Sequence, residues 1–128
     1  MKDDSSMTEA QRGLRANVIG VLKFISSRQA QLKLKREAPF VDVVGEVFCM
    51  WADDIYVFAA RDSFRGAFCA AELSAIAVFD EALEAIADAV IEKKPSLNEF
   101  LVMPEWQRLA EAARKALQAF EVSRSDLE

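Results

Sequence analysis

Residues 39–57 read PFVDVVGEVFCMWADDIYV, and this stretch decides the fold. Phe40, Val43, Val44, Val47, Phe48, Trp51 and Ile55 fall at i, i+3, i+4, i+7, i+8, i+11 and i+15. That is one helix face, wide enough to touch two neighbours. Asp42, Glu46, Cys49 and Asp53 recur on the opposite side. Val41-Asp42-Val43 alternates as a strand would, but three residues do not outweigh the longer helical run. The spacing predicts a central buried helix over 39–57, with Pro39 in its first turn, where a missing N–H is no loss. Asp53 points to water. Asp54 lies at the edge of the apolar face. It reads as a helix-end residue bonded to backbone N–H groups or an arginine, or else as a partly buried acid that binds a partner or metal.

Towards the N-terminus, residues 7–37 read as one long helix with Thr8 as its N-cap. Leu14, Val18, Val21, Leu22, Ile25, Gln29 and Leu32 form its stripe, and Ile19 and Phe24 lie off it, which suggests burial on more than one side. Arg28, Lys33, Lys35 and Arg36 gather at its end, where cations complement the helix dipole. Ala38-Pro39 then breaks the helix.

Beyond the central stretch, residues 58–70 show no clean period and read as a loop with one short turn. Phe58, Phe64 and Phe68 are large for a loop. They are expected to fold back into the core, the alternative being an exposed aromatic patch. A third helix spans 70–93. Leu73, Ile76, Ala77, Leu83, Ile86, Ala87 and Val90 are its apolar face, and Asp80, Glu81, Glu84, Asp88 and Glu92 its acidic outer face. Lys93 and Lys94 close it and Pro95 ends it. Ser96 with Glu99 has the form of a capping box and predicts a short helix over 97–101. Pro104 opens the last helix, in which Trp106, Leu109, Ala110, Ala113, Leu117 and Phe120 keep one face as far as about 122. The expectation is a single all-α domain over 1–128, with four main helices, one short helix, and disordered ends at about 1–6 and 124–128.

A chain of 128 residues with 52% hydrophobic residues can bury a real core, and its four glycines and three prolines favour helices with short connections. No run of eighteen apolar residues offers a membrane span. The polar, acidic start does not resemble a signal peptide, so the expected compartment is the cytoplasm. Cys49 and Cys69 sit among apolar residues and are expected as reduced core or boundary thiols. Charge is unevenly placed. Residues 1–36 carry eight Lys/Arg against three acids, residues 37–92 two Arg against twelve acids, and the remainder six of each. The acidic block repels nucleic acid and membranes and steers a basic partner towards it. The basic end of the first helix lacks the interleaved aromatic residues of a nucleic-acid surface.

The chain has no histidine, which removes most zinc sites and His-based acid–base chemistry. No phosphate-binding glycine motif and no nucleophile elbow occur. One catalytic alternative survives: Glu81, Glu84 and Asp88 facing Asp53 and Asp54 around Mg²⁺ or Mn²⁺, as clustered helical acids do in all-α nucleotide pyrophosphohydrolases. Hard cations need converging oxygens rather than a row on a solvent face. No second E-x-x-[ED] helix follows at the distance those enzymes show, so the reading is no catalytic residue, no metal and no cofactor.

The string Phe48-Cys-Met-Trp51-Ala-Asp53-Asp54-Ile-Tyr56 is followed by Phe64, Phe68, Glu72-Leu73, Phe79-Asp80 and then Trp106-x-x-Leu109 with Ala113, Leu117 and Phe120. Over roughly Phe40 to Phe120 this resembles a group of small bacterial all-helical proteins, some of them similar to immunity proteins of contact-dependent growth-inhibition systems. The resemblance implies action by binding, without catalytic residues. Together with the acidic block it leads to an expected non-enzymatic inhibitor of a basic partner such as a toxin nuclease. Asp53, Asp54, Tyr56, Glu81, Glu84 and Asp88 are the expected contacts. The alternative is a homodimer in which the basic first helix of one subunit meets the acidic block of the other.

Overall fold

Capping chemistry divides the chain where periodicity alone does not. The computed structural model describes residues 8–56 and 60–127, the side chains of Asp54 and of residues 122–127 excepted. Seven helices and no strand occur among the described residues: α1 (Glu9–Ile25), α2 (Arg28–Glu37), α3 (Val43–Asp54), α4 (Asp62–Arg65), α5 (Ala70–Lys93), α6 (Leu97–Leu101) and α7 (Pro104–Leu127). The all-α class is as expected, but four main helices and one short helix become seven. The disorder expected for 1–6 and the burial expected for Phe58 fall outside the described residues.

The expected first helix is two helices. Thr8 and Gln11 form a reciprocal cap at the start of α1. At Ser26-Ser27 the chain turns. Ser27 adopts an extended conformation and its hydroxyl accepts from the Ala30 N–H at 3.0 Å, opening α2. Gln31 is fully buried. Its Nε2 donates to the carbonyl of Phe24, which also accepts from the Ser27 N–H, and to that of Ile25 at the end of α1. Gln29, which the helical stripe includes, is exposed instead. Ile19 and Phe24 are half-buried against the core, as their off-stripe positions suggest.

The central helix is shorter than its spacing predicts. Asp42 caps α3 by accepting from the Gly45 N–H at 3.1 Å, so Pro39 and Phe40 lie outside it. Phe40 is 89% exposed and belongs to no apolar face. Lys35 holds the connector by donating from Nζ to the carbonyls of Pro39 and Val41. A Cβ at position 45 would stand 2.6 Å from Asp42 Oδ2, so the cap itself favours glycine there. Inside the helix the expected face is buried: Val43, Val44, Val47, Phe48, Trp51 and, at its end, Ile55. The most extensive packing is nonetheless between α5 and α7, then between α1 and α7, with α3 packed more lightly on α1, α2, α5 and α6. Three long helices make the frame, and α3 brings Trp51 into it.

Phe64, on the one-turn α4, and Phe68 are buried, so these two rings fold back into the core as expected, while the described charged residues between α3 and α5 stay exposed. Helix α5 has the expected bounds. Its last turn hands over to Lys94 at φ 47, the left-handed backbone that lets a helix stop, followed by Pro95. Phe79 is buried on this helix, whereas Ala77 is exposed. Ser96 and Glu99 close a capping box on α6, and the Ser96 backbone N–H, with its side chain second, lowers the Glu99 carboxyl pKa. Lys93 bonds Glu105 at 3.0 Å, linking the end of α5 to the start of α7; this bond is the main reason the Glu105 pKa is lowered. Helix α7 continues past the expected 122 to Leu127.

An ion pair that the sequence pattern does not announce fastens α1 to α5. Arg15 meets Glu72 in a fork of 2.6 and 2.8 Å, with Glu72 only 1% exposed. Glu72 also accepts from the Cys69 N–H, capping α5, and Arg15 donates to the Ala67 carbonyl. The guanidinium lies 5.8 Å from the Phe68 ring and 5.7 Å from the Phe120 ring, so it reaches α7 as well. Cys49 and Cys69 are both exposed rather than in the core, and no disulfide joins them. No helix among the described residues is long and apolar enough to cross a membrane.

Candidate functional site

Asp53, Glu84 and Asp88 come together on one groove. Asp53 is exposed on the last turn of α3, opposite the helix face that Trp51 buries. Glu84 and Asp88 stand one turn apart on the outer side of α5. The groove between these helices measures about 410 Å³ and is floored by Ala52, Leu83 and Ala87. Ile91, at i+7 from Glu84, continues the acidic line of α5 as a large apolar side chain, 61% exposed. It is the surface feature that residue type alone conceals, because its neighbours on that face are charged.

Tyr56 stands just beyond Ile55, the residue that ends α3, and is half-buried. Its ring stacks on Trp51 with centroids 6.4 Å apart and planes 26° from parallel. Burial, and after it the charges of Asp80, Glu84 and Glu81, raise the phenol pKa above its ordinary value. The phenol thus lies within the field of the acids on α5. Glu81 is exposed and takes part in that field without lining the groove. Asp54 ends α3, and its side chain is outside the description.

Asp80 corrects the expected acidic outer face. It is 8% exposed and accepts from the Trp51 indole N–H at 3.0 Å. Its position explains this: Ile76 precedes it by four residues and Leu83 follows by three, so it stands on the apolar face of α5. Trp51 in turn packs edge-on against Phe79 at 4.5 Å. The tryptophan and its acid hold the end of α3 against the middle of α5 and so set the width of the groove.

Chemically the site offers carboxylates, small apolar side chains and one raised phenol. No three acidic or cysteine side chains among the described residues are grouped so as to hold a metal ion. Such a surface can pair with cationic groups and cover apolar ones. The chain matches no protein-family model, no curated protein and no solved structure.

Proposed function

We propose that this is a cytoplasmic, non-enzymatic protein-binding module of the immunity type, which covers a basic protein partner such as a toxin nuclease. The observation that carries the reading is the convergence of Asp53, Glu84 and Asp88 on a groove with an apolar floor. Opposite charges speed association and select the partner, while buried apolar contacts hold it. Tyr56 and Glu81 flank the same face and extend the contact; Asp54 completes the expected set.

The test is a tagged pull-down at low salt from the native cell, read by mass spectrometry, with wild type and the double variant Asp53→Lys/Glu84→Lys side by side. The reading expects a stoichiometric basic protein that salt releases and the double variant does not retain. Equal recovery by both proteins would overturn it.

A second reading, a homodimer, rests on Phe40. This ring is 89% exposed beside the exposed Lys35 and Arg36, on a connector that Lys35 fastens. Sedimentation at low and high salt separates the two readings: the dimer dissociates with salt and with Phe40→Ser, whereas the inhibitor is a monomer throughout.

A further inference from the structure

The groove does not stop at its acidic end. A second hollow of about 420 Å³ shares Phe48 and Ile91 with the first and continues between the start of α3 and the end of α5, where Lys94 stands. Along α5 the joined groove runs from Leu83 to Lys94, roughly 16 Å at the helical rise, or three turns. It stays open because α3 presents Gly45, Cys49 and Ala52 at i, i+4 and i+7, where larger side chains would close it. Its charge is polarised. Asp53, Glu84 and Asp88 mark one end, and at the other Lys94 offsets Asp42, whose carboxylate caps α3.

We infer that the occupant of this groove is a single amphipathic helix of the partner, about three turns long, lying parallel to α5. This rests on the acidic face being the partner surface and adds what that partner presents. An α-helix satisfies its own backbone, so it can lie on the apolar strip of Ala52, Ala87 and Ile91 without leaving polar groups unpaired. The carboxylates attract its lysines or arginines and also the positive end of its dipole, so its N-terminus lies by Asp53 and Glu84. Its C-terminus, the negative end, then lies by Lys94. Both electrostatic terms favour the same direction.

Three synthetic peptides of ~14 residues, about four turns, test this. One is helical, with leucines at i, i+4, i+7 and i+11 and lysines flanking them in the first two turns. The second carries its lysines in the last two turns. The third has the composition of the first with a central proline. Binding is read from the methyl NMR signals of Ala52, Ala87 and Ile91 in the full chain. The first peptide is expected to shift all three methyls and to bind about tenfold more tightly than either other peptide, a difference of ~1.4 kcal/mol. Ile91→Ser and Ala52→Gln, both at exposed positions, are expected to remove that advantage while melting curves stay unchanged. Equal binding of the helical and proline peptides, abolished only by Asp53→Lys/Glu84→Lys, would overturn the helix and leave the acidic surface standing. Binding indifferent to every variant, or no binding by any peptide, would overturn the groove as a helix site; the pull-down with the charge-reversed protein then decides the acidic surface by itself.

Discussion

The indole Nε1 of Trp51 donates to Oδ1 of Asp80 across 3.0 Å, joining the last turn of α3 to the middle of α5 inside the protein. A buried acid is tolerable here because a donor is aimed at it. The chain has a second tryptophan, Trp106, whose Nε1 is buried and finds no acceptor among the described residues. The two substitutions to phenylalanine should therefore differ. Trp51→Phe strands the Asp80 carboxylate and is expected to cost about 1–3 kcal/mol beyond the lost volume. Trp106→Phe removes a donor that gains nothing from burial, so only its packing loss should appear. Urea unfolding of the two variants measures the difference; equal losses would contradict it.

Arg15 is expected to be the least replaceable charged residue. Removing it leaves Glu72 buried without its counter-charge, and Arg15→Ala should cost about 3–5 kcal/mol. Arg15→Lys keeps the charge but loses the two-pronged geometry and the contact with two rings, so it should recover only part of that loss. Arg15→Ala together with Glu72→Leu should be closer to wild type than Arg15→Ala alone. A double-mutant cycle on thermal or urea stability checks all three statements.

Tyr56 is the sole tyrosine of the chain, so phenolate absorbance reports it without overlap. Its folded pKa is raised, which fixes the sign. Between the unfolded value of about 10 and the folded value, the native state holds the proton that the unfolded chain loses. Stability is therefore intact below pH ~10 and declines as pH rises through that window. Glu84→Gln should move the phenol part of the way back towards its ordinary value, with the larger effect of burial remaining. An unchanged titration would separate Tyr56 from the acids of α5.

The glycines of α1 and α3 should respond differently to alanine. A Cβ at Gly13 or Gly20 meets nothing within 4 Å, so Gly13→Ala and Gly20→Ala are each expected to stabilise by about 0.5–1 kcal/mol. At Gly45 the new methyl displaces the Asp42 carboxylate from its cap, and the loss of about 1 kcal/mol cancels the helical gain. Melting temperatures of the three single variants decide this.

Much of the helical frame is legible in the residues themselves. The bounds of α5 and α6 follow from an apolar repeat closed by Lys93-Lys94-Pro95 and from the Ser96–Glu99 pair, each a local signal. What spacing misses is set by contacts distant in sequence or by a cap that competes with the helix. Ser26-Ser27 interrupts a continuous stripe where Ser27 caps a new helix and Gln31 reaches back to the end of α1, and the repeat encodes neither bond. Asp42 ends the backward extension of α3 and so turns Phe40 from a core residue into a surface one. Asp80 lies where helical spacing predicts burial, but its charge disguises it until Trp51 is seen to face it. Of the candidate site, Asp53, Glu84 and Asp88 are readable from helix faces. That they share one groove depends on α3 and α5 lying side by side, which their sequences do not state.

The placement of Arg15 between Glu72 and the rings of Phe68 and Phe120 also sets an order of events on the ribosome. Synthesis at about 5–20 residues per second separates Arg15 from Phe120 by roughly 5–20 s. Through that interval the growing chain carries a cation whose anionic partner arrives midway and whose second ring arrives only with α7. A nascent domain halted before Phe120 keeps that side of the guanidinium open to water. The helix that carries Phe120 is thus the one that closes the core around Arg15.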